Sequence, residues 1–144
     1  MFTKVDHIGV VVKDLDAATA RYVDMFQTKP WDLGVLSLTD IGVKVVLLPI
    51  GNTYIELIEP IAADCPAAVQ LRERGEGIFH LSIFCEDFDR EVERLKKSGY
   101  NVEMETTRQL FPGHTLQFAW LLPPDTHGVR VEVVNIDSMP SFAR

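Results

Sequence analysis

Two histidines and two glutamates sit at matching places in a chain that repeats itself. Val5-Asp6-His7-Ile8-Gly9-Val10-Val11-Val12-Lys13-Asp14-Leu15-Asp16 is echoed 73 positions on by Ile78-Phe79-His80-Leu81-Ser82-Ile83-Phe84-Cys85-Glu86-Asp87-Phe88-Asp89. Tyr54-Ile55-Glu56-Leu57-Ile58 is echoed by Arg130-Val131-Glu132-Val133-Val134, so a glutamate follows its histidine by 49 residues in one copy and 52 in the other. A duplicated unit with one imidazole and one carboxylate per copy yields a two-His, two-Glu set when the halves face each other. His7, Glu56, His80 and Glu132 are therefore candidate ligands for a divalent metal ion. Two nitrogens and two oxygens suit Zn, Co, Ni or Mn, and octahedral coordination leaves two positions for water or substrate. The sequence does not choose among these metals.

The surrounding residues say what must position this set. Side chains alternate across a strand, so His7 shares a face with Gly9 and Val11, and His80 with Ser82 and Phe84. Gly9 and Ser82 are small, which leaves room for a ligand beside each imidazole. Glu56 shares its face with Tyr54 and Ile58, and Glu132 with Arg130 and Val134. Both glutamates stand between apolar neighbours, where a carboxylate is costly to bury without a compensating positive charge. His114 and His127 lie outside the repeat and read as surface residues.

Alternating β-branched residues predict a strand over 5–12, and Asp14 or Asp16 caps a helix through about Phe26. A short strand at 35–39 and a hairpin of 43–49 with 53–58 around Gly51-Asn52 complete a βαβββ unit. Residues 65–72 hold a short helix with Pro66 in its first turn, ended near Gly75. The second half repeats the order: a strand at 78–85, a helix from Phe88 to Lys97 stopped by Ser98-Gly99, and a short strand near 101–104. An irregular stretch then runs through 108–113, before strands at 114–122 and 128–134. The organisation is one domain over 1–144: module 1 at about 4–60, a linker over 61–76, module 2 at about 77–135 and a tail over 136–144. The tail lacks periodicity and is expected to dock on a partner or fray.

Of the 144 residues, 47% are apolar and 24% charged, which is globular composition. The net charge of −7 disfavours nucleic acid or an anionic membrane as main partner. No secretory signal and no apolar run of about 20 residues is visible. Cys65 and Cys85 lack CxxC spacing and read as reduced thiols, so the expected location is cytoplasmic.

With these residues in view, the chain resembles the vicinal oxygen chelate superfamily (glyoxalase I, extradiol dioxygenases, fosfomycin-resistance proteins), and within it the methylmalonyl-CoA epimerase group. The motifs are Asp6-His7-Ile8-Gly9-Val10, Gly42-Val43-Lys44-Val45-Val46, Gly51-Asn52-Thr53-Tyr54-Ile55-Glu56-Leu57, Gly75-Glu76-Gly77-Ile78-Phe79-His80 and His127-Gly128-Val129-Arg130-Val131-Glu132. The resemblance spans about residues 4–135. It implies an α+β fold in which two tandem βαβββ modules form a curled, eight-stranded open-barrel cup. His7, Glu56, His80 and Glu132 would be the metal ligands inside it. It also implies a metal-dependent isomerase that epimerises methylmalonyl-CoA or a related 2-substituted acyl thioester through a metal-stabilised enolate, as a homodimer. Asp40 would stand as acid/base on one face of the planar intermediate and Glu132 on the other.

The alternatives are a glyoxalase-I-like lyase acting on a thiol hemithioacetal with the same ligand set, and a binding or resistance module of this fold. Four candidate ligands count against an Fe(II) dioxygenase, which uses a three-residue triad. Phe79-His80 replaces the His-His of the epimerases, and Leu121-Leu122-Pro123-Pro124 departs from their pattern. Lys44, Arg72, Arg74 and Arg108 are scattered candidates for holding coenzyme A.

Overall fold

The computed structural model describes residues 1–111 and 113–144, and within them every side chain except those of residues 105–110 and 142. It is an α+β protein, with eight strands and three α-helices among the described residues. The chain separates into two units: His7–Phe79, and Met1–Asp6 together with His80–Arg144. The first strand, β1 (Phe2–Val11), contributes to both, because Met1–Asp6 hydrogen-bonds at the far end of the second repeat. There the Met1 amino group donates to the Glu86 carbonyl at 2.7 Å and the Thr3 hydroxyl to that of Phe84 at 3.3 Å.

In the unit His7–Phe79, β1 is followed by α1 (Leu15–Phe26), β2 (Leu36–Leu38), β3 (Val43–Ile50), β4 (Thr53–Pro60) and α2 (Pro66–Arg74). The strand order is β2-β3-β4-β1, with β1 parallel to β4 and the other pairs antiparallel. Asp14 starts α1 by accepting from the Ala17 amide at 2.9 Å, as its place before an apolar periodic run predicts. The Glu59 carboxylate fastens that end to β4, accepting from the Leu15 amide at 2.8 Å while Lys44 lies 3.1 Å away. Strand alternation divides the apolar residues between two faces. Leu48, Leu57, Val46, Val12 and Leu15 pack with α1 on one, and Val43, Val45, Val11 and Ile58 pack with Ala67 and Ala68 of α2 on the other.

The turn into β3 depends on Gly42. Its φ is +72°, and a Cβ placed there would lie 2.4 Å from the Ala62 Cβ. Gly42 also accepts from the amides of Ile61 and Ala62 at 2.7 and 3.0 Å, which ties the start of β3 to the segment after β4.

The second unit contains β5 (Gly77–Cys85) from His80 onward, α3 (Phe88–Lys97), β6 (Val102–Phe111), β7 (His114–Leu121) and β8 (Arg130–Asn135). The order is β1-β5-β8-β7-β6, and β5 runs parallel to β8. Phe88 and Val92 of α3 pack on Cys85, Ala119 and Val133, leaving the opposite face of β5 and β8 for His80 and Glu132.

Two expectations are corrected here. β6 continues to Phe111 where an irregular stretch was expected from 108, because antiparallel β7 supplies its hydrogen-bond partners. The irregularity survives as register shifts between Thr106 and Arg108 and between Arg108 and Phe111. The tail folds on its own unit as two 3₁₀ turns, Ile136–Ser138 and Ser141–Ala143, and does not fray. The Gln117 amide donates to the Ser138 hydroxyl at 3.1 Å, and Met139 and Ala143 are buried. Cys65 and Cys85 are free and buried.

Candidate functional site

Each unit brings one imidazole and one carboxylate together. In His7–Phe79, the parallel register sets His7 beside Tyr54 and Gly9 beside Glu56. Register partners on adjacent strands share a face, so His7, Gly9 and Glu56 all point away from α1. With no side chain at Gly9, the imidazole and the carboxylate meet diagonally: His7 Nε2 lies 3.5 Å from Glu56 Oε2. Both side chains are largely buried, at 13% and 15% exposure, so neither oxygen nor nitrogen is freely hydrated. Trp31 covers the neighbouring Tyr54 at 5.8 Å between ring centroids, and its amide donates to the Leu47 carbonyl at 2.8 Å.

The second unit repeats this layout. His80 is the register partner of Arg130, and Ser82 of Glu132. Ser82 takes the place of Gly9 and is fully buried; His80 is 4% exposed. The donor atoms that His80 and Glu132 offer lie within 4.8 Å of each other. Trp120 on β7 faces Glu132, meets the His80 ring edge-on at 5.4 Å, and carries the Arg130 guanidinium over its face at 5.4 Å.

Both half-sites offer donors of the kind that a divalent cation takes. Each offers a buried nitrogen and a carboxylate oxygen on one sheet face, beside a residue too small to fill the space. Burying a carboxylate among apolar strand residues is explained most simply by a positive charge at that point.

Asp40 is placed differently. It is exposed in the four-residue turn between β2 and β3. Leu47 on β3 is the register partner of Glu56, and Val43, where β3 begins, is four residues away. The coenzyme A candidates are also dispersed: Lys44 is engaged with Glu59, Arg72 donates to the Ala63 carbonyl, and the Arg108 side chain lies outside the described residues. His114 is half-buried at the start of β7, and His127 is exposed in the turn before β8.

Three residues near the half-sites were not singled out as site residues from the sequence. Arg130 had a signal, since it precedes Glu132 by two and so shares its face. Trp120 reaches Glu132 only through the β7–β8 register, which the long connection between those strands conceals. Trp31 follows α1 in a loop without periodicity.

The chain belongs to the glyoxalase/bleomycin resistance protein/dioxygenase superfamily, whose model matches residues 6–118. Within it, the chain is 29% identical over 140 residues to the ethylmalonyl-CoA/methylmalonyl-CoA epimerase of Cereibacter sphaeroides, covering 94% of this chain and 100% of that one. Among solved structures, it matches methylmalonyl-CoA epimerase from Mycobacterium tuberculosis with a TM-score of 0.84 and 28% identity, over 99% of this chain and 92% of that one. A variant of the Streptomyces coelicolor methylmalonyl-CoA epimerase in complex with 2-nitronate-propionyl-CoA gives 0.82 and 27%, over 94% and 98%.

Proposed function

We propose that the protein is a divalent-metal-dependent epimerase of a 2-substituted acyl-coenzyme A thioester, with methylmalonyl-CoA as the first substrate to test. The observation that carries this reading is the repeated half-site, His7 with Glu56 and His80 with Glu132, each beside a small residue at the same register position. In this reading the four residues hold one cation jointly. The relatives add the substrate class, because the C. sphaeroides and M. tuberculosis proteins are epimerases of such thioesters and the S. coelicolor protein is seen with a propionyl-CoA analogue.

The chemistry asks for removal and return of a weakly acidic C–H proton between a thioester and a carboxylate. A bound divalent cation supplies Lewis-acid stabilisation of the negative charge that develops on the thioester oxygen, worth several kcal/mol. In this reading Glu132 is the carboxylate assigned to proton transfer. Trp120 and Phe118 line the same face of β7 and exclude water from it, which strengthens each charge interaction there. Asp40 is the second carboxylate of this reading, for the opposite face of the planar intermediate.

The reading also takes the protein as a cytoplasmic homodimer; β2 and β6 end their strand orders and offer open backbone edges for pairing. The test is α-deuterium exchange of methylmalonyl-CoA in D₂O by metal-loaded protein. Exchange that needs the metal supports the assignment, and its absence with this and other 2-alkylmalonyl thioesters removes it.

A further inference from the structure

We propose that Trp31 is a specificity-determining residue that bounds the space beside the His7–Glu56 half-site and limits the alkyl group a ligand can place there. This inference rests on the metal-dependent reading above. The register of β1, β4 and β3 sets His7, Tyr54 and Pro49 in one row of a sheet face, and Gly9, Glu56 and Leu47 in the next. Beyond the imidazole, the His7 row therefore continues as a phenol ring and a proline. Trp31 reaches Tyr54 from the segment after α1, which is fastened along β3 at two points. The Thr28 hydroxyl donates to the Pro49 carbonyl at 2.7 Å, and the Trp31 amide to the Leu47 carbonyl at 2.8 Å. The indole stands 5.8 Å from the Tyr54 ring, centroid to centroid, and is tilted 47° to it.

Two features make this pair a ligand wall. Both rings are half-buried, whereas Leu48 and Leu57, on the opposite face of the same strands, are fully buried under α1. Tyr54 is also the direct register partner of His7, so the rings adjoin the half-site. A ligand whose oxygens are held at the half-site meets the rings with the group next to those oxygens. A charged group there would lose water without gaining an opposite charge from either ring, so the group that fits is apolar. On a 2-substituted malonyl thioester that group is the alkyl substituent at carbon 2. The double fastening to β3 resists displacement of the indole, so a short alkyl group is accommodated and a long one clashes.

The test is calorimetry on cobalt-loaded protein with malonate, methylmalonate, ethylmalonate and butylmalonate, comparing wild type with Trp31→Phe and Trp31→Ala. Cobalt affinity is titrated separately in each. Wild-type affinity is expected to rise about fourfold for each carbon from malonate to ethylmalonate. It should then fall by about tenfold or more for butylmalonate. Trp31→Phe should narrow the gap between ethylmalonate and butylmalonate, and Trp31→Ala should close or reverse it, with cobalt affinity within about threefold. A gap that is absent in wild type, or undiminished in both variants, overturns the proposal. So does a loss of cobalt binding in Trp31→Phe, which would show that the indole holds the half-site together instead. Alkyl selection that depends on Trp31, without α-deuterium exchange, leaves this inference standing and removes the epimerase reading; exchange without such selection does the reverse.

Discussion

Ser82 and Glu132 are direct partners across the parallel β5–β8 pair. Gly9 and Glu56 hold the same relationship across β1–β4. In both places a small residue gives the carboxylate the space that a larger side chain would take, and a histidine stands two residues back on the small residue's strand. Ser82→Leu should therefore lower metal affinity by at least about tenfold and cost roughly 1–3 kcal/mol through overpacking at a fully buried position. Ser82→Ala keeps the space and should leave metal affinity within a few-fold. Metal titration and denaturant unfolding of both variants check this. Equal affinities in Ser82→Leu and wild type would remove the role given to the small residue.

The two candidate acid–base carboxylates separate by mutation. Glu132→Gln keeps an oxygen ligand but cannot take a proton, and α-deuterium exchange should fall by about 10²–10⁴-fold. Asp40→Asn, which removes the carboxylate assigned to the opposite face of the intermediate, should slow exchange with one substrate epimer by at least about tenfold and spare the other. Unchanged exchange with both epimers in Asp40→Asn would remove Asp40 from proton transfer.

Cys85 should be inert. Burial pushes its thiol above the ordinary value of 9.0, so at neutral pH almost none is the reactive thiolate. Alkylation in the native protein should be slow and follow global unfolding, whereas chemically unfolded protein reacts at once. The sign of the pH effect follows from linkage: the unfolded thiol loses its proton near 9 while the folded one keeps it. This group's contribution is complete below that pH and is lost as pH rises above it, which Cys85→Ala should abolish in unfolding curves taken between pH 8 and 10.

Gly42→Ala should be among the most damaging single methyl additions in the chain. It combines a left-handed backbone with a Cβ set 2.4 Å from the Ala62 Cβ. A loss of at least about 2 kcal/mol is expected in thermal or denaturant unfolding, with the start of β3 displaced. Gly51→Ala has open space around its Cβ, so its cost should reflect backbone strain alone and be smaller.

Much of this architecture was legible in the residues. Period-two runs gave β1, β3, β4 and β5 to within a few residues, and α3 from Phe88 to Lys97 matches its predicted span. The histidines and glutamates stood out because a duplication writes each twice. What local sequence could not show was pairing at a distance. β6 is extended to Phe111 by β7, and the tail is held by Gln117 and by burial of Met139, contacts that leave no periodic trace. Trp120 likewise enters the picture only through register. Asp40 was suggested by the resemblance alone, and the turn that carries it is exposed.

If ligands from both repeats share one cation, as proposed, the metal stoichiometry is one ion per chain. Wild-type protein equilibrated with cobalt or zinc should hold one ion per chain after buffer exchange. Either His7→Ala or His80→Ala alone should abolish that binding in a protein that remains folded. Two ions per chain, or one ion retained by both single variants, would show that the repeats do not share an ion.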